Sequence, residues 1–201
     1  MKKILILGSA SQGRQEILQN IGYTDFEIIS SNIDETPKRG EKPFALAKRL
    51  AFEKNKALQE LVKQKHGHQC VIITGDTVAV KGRDVLHKAE TDEDVRAYMN
   101  KISGTNHRIY SGICVHDCFT GKTNLDISET RLKVKRLTEL EIEMIVKSKQ
   151  GIGKAGGYEV SGLFSAFVIK MVGSATNVKG LDAYKVRNFL TSCGVKPKLV
   201  L

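Results

Sequence analysis

The sequence predicts a mixed α/β fold, a long mixed sheet flanked by helices. Short apolar runs that read as strands, such as Lys3–Leu7 and Val71–Val80, recur along the chain. Between them lie segments of helical period, the longest being Phe44–Lys65, with an apolar stripe at Ala47, Leu50, Ala51, Leu58 and Leu61. The two kinds of segment mix from end to end instead of separating into halves, which points to a mixed sheet.

In chain order, Lys3–Leu7 reads as a strand and Gly8–Gly13 as a loop of small residues. Arg14–Ile21 reads as a helix stopped by Gly22. Phe26–Ser30 is a strand, and Asn32–Lys42 a polar loop before the long helix. Val71–Val80 is apolar enough for a strand buried on both faces. Asp92–Ile102 is helical and stops at Ser103-Gly104. His107–Asp117 and Asp126–Leu137 are strands around a turn near Thr120-Gly121. Glu139–Ser148 is helical, Gly151–Gly162 a glycine-rich loop, and Phe164–Met171 a strand. Ala183–Cys193 is a last helix, with Gly194 as its C-cap.

The chain has 201 residues, enough for one compact domain with a sizeable core. Its 41% hydrophobic and 27% charged residues exclude a disordered or collagen-like chain. No apolar run reaches the roughly 18–20 residues of a membrane span. The first apolar run ends at Gly8, too soon for an export signal. Four cysteines without such a signal imply reduced thiols and a cytoplasmic location. The net charge of +10 comes mostly from residues 101–201, a balance suited to polyanionic ligands or simply to a solvated lysine-rich surface. Aromatic residues are only 6% and tryptophan is absent, so a stacking nucleic-acid surface is not expected.

Five stretches could carry chemistry. Ser9-Ala10-Ser11-Gln12-Gly13-Arg14 leads from a strand into a helix. It can cradle a phosphate, or serve as a plain connection capped by Ser11. Its Gly8-to-Gly13 spacing fits a Walker A loop, but Arg14 and Gln15 replace the required lysine and hydroxyl. Asp34-Glu35 in a polar loop could bind a divalent ion or be merely solvated. Lys54 falls within the apolar stripe of the long helix. It either snorkels out, the commoner outcome, or points into a site. Asp76 interrupts a buried strand, which is costly for a carboxylate unless it is paired, hydrogen-bonded or metal-bound. Gly75 beside it leaves room for close approach, and Lys88 follows on the next loop. The fifth stretch, Gly153 to Gly162, frames Tyr158 with glycines in a loop of binding type. Gly173-Ser174-Ala175-Thr176-Asn177 adds another hydroxyl-rich turn. Cys114, His116 and Cys118 do not form a zinc site on a strand. Residues two apart there are spaced by about 6.6 Å, too far for the ligands of one ion.

Taken in order, these pieces resemble the Maf family, septum-formation-inhibitor-like nucleoside triphosphate pyrophosphatases. The shared elements are Ser9 to Arg14, Ile33-Asp34-Glu35, Arg49 to Lys54, Asp76-Thr77-Val78 and His87-Lys88-Ala89. Ile102 to His107, Lys154 to Tyr158 and Gly173 to Val178 complete them. The resemblance implies one domain of two lobes around a central nucleotide cleft, similar to ITPase-like pyrophosphatases. It implies hydrolysis of nucleoside triphosphates to the monophosphate and pyrophosphate with a divalent cation, Mg²⁺ or Mn²⁺, as house-cleaning of non-standard or surplus nucleotides. Asp76 would be the general base or metal-supported water activator, and Glu35 would help hold the metal. Ser9, Arg14, Lys54 and Lys88 would bind the triphosphate. Gly13, Thr77 and Ser161 fall at base-selecting positions. Thr77 matches the branch acting on thymidine and uridine triphosphates. Gly13 and Ser161 match neither that branch nor the one acting on methylated guanosine triphosphate. A homodimer is implied, with no stable nucleic-acid complex and no membrane partner. The alternative is a basic binding or regulatory protein, weakened in catalysis and linked to cell division by contact.

Overall fold

The computed structural model describes residues 3–198. Its strands are β1 (Ile4–Leu7), β2 (Phe26–Ile28), β3 (Cys70–Lys81), β4 (Asp84–Leu86), β5 (Asn106–Asp117), β6 (Thr123–Val134) and β7 (Val168–Val172). Its helices are α1 (Gln12–Asn20), α2 (Pro43–His66), α3 (Asp92–Ile102), α4 (Glu139–Lys147), α5 (Ala175–Lys179) and α6 (Ala183–Ser192), with a 3-10 turn at Leu163–Phe167. The strands form a mixed sheet in the order β2-β1-β3-β5-β6-β7, with β4 beside β3. β1 pairs parallel with both β2 and β3, whereas β4 and β7 pair antiparallel with β3 and β6. No helix among the described residues is long and apolar enough to cross a membrane. The four cysteines are free, and all but Cys118 are buried.

The chain divides into two compact units. One is Met1–Asp76, Ser111–Ile127 and Gly180–Leu201, and the other is Thr77–Tyr110 and Ser128–Lys179.

In the first unit, period-two alternation sends Leu5, Leu7, Val71 and Ile73 into a core with α1 and α6, through Ile17, Leu18, Val186 and Leu190. The alternate residues Ile6, Cys70 and Ile72 face Leu58 and Val62 of α2. β1 and β3 are therefore covered on both faces, which accounts for their unbroken apolar runs. α2 opens on Pro43, closes on Gly67 at φ 65, and carries Lys63, Lys65 and His66 in its last turn. It lies very close to the sheet. A Cβ on Gly112 of β5 would fall 2.2 Å from the Ala47 carbonyl oxygen. Thr74 Oγ1 donates to the Ala51 carbonyl at 2.7 Å, and Asn55 Nδ2 donates to the Ile72 carbonyl at 3.0 Å.

In the second unit, Val95, Met99 and Ile102 of α3 join Ile142 and Ile145 of α4 in one core with Ile109, Leu132 and Val134. Both helices begin with a capping box, Thr91 with Asp94 and Thr138 with Glu141.

Several boundaries differ from the sequence reading. α1 begins at Gln12 and takes Gly13 inside it, buried. β6 begins at Thr123 because the Asp117–Lys122 turn closes tightly, with Asp117 N–H donating to the Lys122 carbonyl at 2.9 Å. The strand expected from Phe164 begins at Val168. Phe164 and Phe167, three residues apart, are buried together by the 3-10 turn, a spacing that an apolar run cannot distinguish from strand. β4 and α5 are short elements beyond those the sequence predicts, α5 falling in the hydroxyl-rich turn.

Candidate functional site

The site begins with Asp76, the last residue of the first unit. α2 is pinned across β3 by the Thr74 and Asn55 bonds, and this sets Lys54 over Asp76. Lys54 Nζ donates to Asp76 Oδ1 at 2.6 Å. The same ammonium meets Glu35 Oε1 at 2.7 Å. Snorkelling, the commoner fate of a lysine in an apolar stripe, does not occur here. The side chain is only 11% exposed and ends between two carboxylates, which offset the penalty of burying its charge.

Arg14 reaches the same place from α1. Its NH1 donates to Ser9 Oγ at 2.8 Å and its Nε to the Gly180 carbonyl at 3.1 Å. Ser9 Oγ also accepts from the Ser11 N–H at 3.2 Å. Ser11 itself makes no cap bond, so the plain capped connection is not what forms. Burial pushes the Arg14 guanidinium below its ordinary pKa, while the charges of Asp76 and Glu35 oppose that shift. Gly75 is explained by the same packing. A Cβ there would lie 2.8 Å from Leu181 Cδ2, 3.1 Å from the Gly112 carbonyl oxygen and 3.4 Å from Arg14 Nε. Ser9, Arg14, Glu35, Lys54 and Asp76 thus converge, and Gly13 sits buried beside Arg14 in α1.

Glu35 belongs to a stretch without regular structure, residues 29–42. Asp34 Oδ1 accepts from the Thr36 N–H at 2.9 Å, so Asp34 shapes the loop. Arg49 opens the Arg49-to-Lys54 element, but the sequence assigns it no role and does not single out Glu41, its partner. Arg49 Nε and NH2 donate to the two oxygens of Glu41 at 2.7 and 2.8 Å, and NH1 donates to Glu53 at 2.7 Å. The Arg49 bonds hold the Glu41 carboxyl far below its ordinary range, at about 2. The i,i+4 spacing of Arg49 and Glu53 was a usable signal; Glu41, outside the helix, gave none.

Thr77, Lys88 and Ser161 lie in the second unit. Thr77 directly follows Asp76 on β3. Lys88 is exposed, and its backbone bridges to Ala155 of the glycine-rich loop. Ser161 is exposed and its Oγ donates to Glu159 at 2.9 Å. Tyr158, expected in a binding loop, is instead core. It stacks on Phe164 with ring centres 4.0 Å apart, and its hydroxyl shares a 2.6 Å hydrogen bond with His107 Nε2. The hydroxyl-rich turn is likewise structural. Ser174 Oγ accepts from the Asn177 N–H at 3.3 Å, and Asn177 Nδ2 donates to the Ile109 carbonyl and to Thr130 Oγ1.

Glu35 and Asp76 fit a hard divalent cation, because two carboxylates already converge on one positive charge. Among the described residues no group of three or more His, Cys, Asp or Glu side chains is placed to hold a metal. A set of two carboxylates suits Mg²⁺, which commonly takes one or two from protein and the rest of its shell from phosphate and water.

Residues 4–193 match the family described as Maf-like protein. The chain is 43% identical over 190 residues to a protein of Neorickettsia sennetsu named nucleoside triphosphate pyrophosphatase, covering 94% of this chain and 88% of that one. It is 43% identical over 193 residues to a Mesorhizobium japonicum protein named dTTP/UTP pyrophosphatase, covering 96% and 92%. Among solved structures it is similar in fold to a HAM1 protein from Coxiella burnetii. The TM-score is 0.51 at 12% identity, over 96% of this chain and 100% of that one. With a family match over nearly its whole length and relatives at this level of identity, the chain belongs to the Maf-like family.

Proposed function

We propose that this chain is a nucleoside triphosphate pyrophosphatase, a hydrolase that converts a nucleoside triphosphate and water to the monophosphate and pyrophosphate. The observation that carries the reading is Lys54 held between Glu35 and Asp76, with Arg14 close by. The names of relatives at about 40% identity support it. A basic binding surface has no use for two carboxylates where phosphates are to sit; a hydrolase does.

In this reading Asp76 orients a water and takes its proton as the water oxygen bonds to the α-phosphorus. The bond from that phosphorus to the bridging oxygen breaks, and pyrophosphate leaves. Arg14 and Lys54 neutralise the phosphate charge, which grows on the leaving group, and the Ser9 hydroxyl lines the same pocket. Glu35 and Asp76 would hold Mg²⁺ or Mn²⁺, which when bound supplies further charge neutralisation and acidifies a water. Lys88 as a phosphate ligand, and Gly13, Thr77 and Ser161 as base selectors, rest on the family pattern. So does a homodimer. Clearing non-standard or surplus nucleotides is the role this chemistry suits. The four free thiols fit a reducing, cytoplasmic setting.

The test is pyrophosphate release from canonical and modified nucleoside triphosphates, dTTP and UTP included, with Mg²⁺, Mn²⁺ or chelator. Metal-dependent release from at least one is expected. No release from any, by folded protein, would sink the reading.

A further inference from the structure

The geometry points to Arg49 as a positioning residue that sets Glu35 against Lys54 by clamping the 29–42 loop onto α2; this rests on the role proposed above for Glu35.

Arg49 has every guanidinium nitrogen engaged. Nε and NH2 grip the two oxygens of Glu41 as a fork, NH1 takes Glu53, and NH2 also donates to the Thr36 carbonyl at 3.1 Å. Glu41 Oε2 in turn accepts from the Lys38 N–H at 3.0 Å. One side chain of α2 therefore fixes the loop at Thr36, at Lys38 through Glu41, and at Glu41 itself. Thr36 is the residue after Glu35. The Arg49 and Glu41 side chains are only 15% and 9% exposed, so this is not a solvent-screened surface pair. Glu35 is different: its side chain is half exposed, and it meets Lys54 from the loop. A half-exposed carboxylate on an irregular loop keeps one direction better when the loop backbone is held; Asp34 bonds within the loop, and Arg49 ties it to α2. Lysine cannot replace it, because a single ammonium cannot make the fork and reach the Thr36 carbonyl and Glu53 together.

The test compares Arg49→Met, Arg49→Lys and Glu41→Gln, each alone and combined with Glu35→Gln. Pyrophosphate release is measured alongside hydrogen–deuterium exchange of residues 30–42 in the metal-free protein. In the native background Arg49→Met and Arg49→Lys should lower kcat/KM by at least about 10-fold and raise the Mn²⁺ concentration needed for half-activation. In the Glu35→Gln background the same changes should cost less than about 2-fold, because the group being positioned is gone. Exchange over 30–42 should quicken in all three variants. An equal loss in both backgrounds would overturn the inference, as would native exchange in the variants. If Glu35→Gln is fully active with native metal response, Glu35 has no role and the inference falls with it. If the native protein hydrolyses nothing, the proposed function fails separately, and exchange alone decides whether Arg49 holds the loop.

Discussion

Lys54 Nζ stands 2.6 Å from Asp76 Oδ1, with each side chain about one-tenth exposed. A helix and a strand each contribute one buried charge, and each lowers the cost of burying the other. The pair is also not closed. Glu35 shares the ammonium from a loop, and Arg14 acts on both acids from a third element. The cluster therefore sets two buried cations beside two carboxylates, drawn from two helices, a strand and a loop.

Asp76→Asn should abolish turnover, by at least about 10²–10⁴-fold, the usual contribution of a general base. The fold should survive, since Lys54 keeps Glu35 as its partner. Pyrophosphate release and a urea unfolding curve on the same preparation check both halves. A fully active variant would remove Asp76 from its role.

Lys54→Met should be the more damaging change for stability. It leaves Asp76 buried without its ammonium, a loss of about 3 kcal/mol, in part offset by Arg14. The urea midpoint should therefore fall further for Lys54→Met than for Asp76→Asn. The reverse order would show that the pair is not what stabilises this region.

Acid should weaken the fold in two windows. Burial depresses His107 from 6.5 to about 4, so the unfolded chain takes up the proton first. Stability present above pH 6.5 is then lost as pH falls toward 4. Glu41 is depressed from 4.5 to about 2 by Arg49, so its contribution is present above pH 4.5 and lost as pH falls toward 2. Urea midpoints across this range should lose the upper slope in His107→Gln and the lower slope in Glu41→Gln. Unchanged slopes would refute the assignments.

Two glycines should separate sharply. At Gly75 the added methyl meets a flexible leucine end at 2.8 Å and only tightly approaches the Gly112 carbonyl oxygen at 3.1 Å, so Gly75→Ala should cost about 1–3 kcal/mol. At Gly112 it meets the Ala47 backbone at 2.2 Å, and Gly112→Ala should cost more than about 4 kcal/mol. Thermal unfolding of both variants distinguishes them. A stable Gly112→Ala protein would contradict the close approach of α2 to β5.

Asp76 and Lys54 were legible in the sequence because each breaks a local rule: a carboxylate in an apolar strand, a lysine in an apolar stripe. What the sequence could not supply was that they break their rules for each other, since pairing across 22 residues depends on how α2 lies on β3. Arg49 and Glu41 break no rule: Arg49 showed only as the start of a shared element and in its i,i+4 spacing to Glu53, and Glu41 left no trace. Tyr158 misled in the opposite direction. Its glycine neighbours suggested a ligand loop, whereas they supply positive-φ turns around a ring buried in the core, as at Gly156 and Gly157. Phe164–Phe167 shows a different limit: two phenylalanines three residues apart, directly before the mostly apolar Val168–Met171, read as the start of the strand although they form one buried turn.

Where α2 crosses Gly112, peptide backbone rests on peptide backbone with no side chain interposed. Seams made of side chains yield to hydrostatic pressure by losing their voids, whereas two backbones already in contact leave almost no void to lose. The junction is a mechanical stop. The spacing of α2 from β5 at Ala47 is thus set by backbone meeting backbone, and it should change little while the surrounding core breathes.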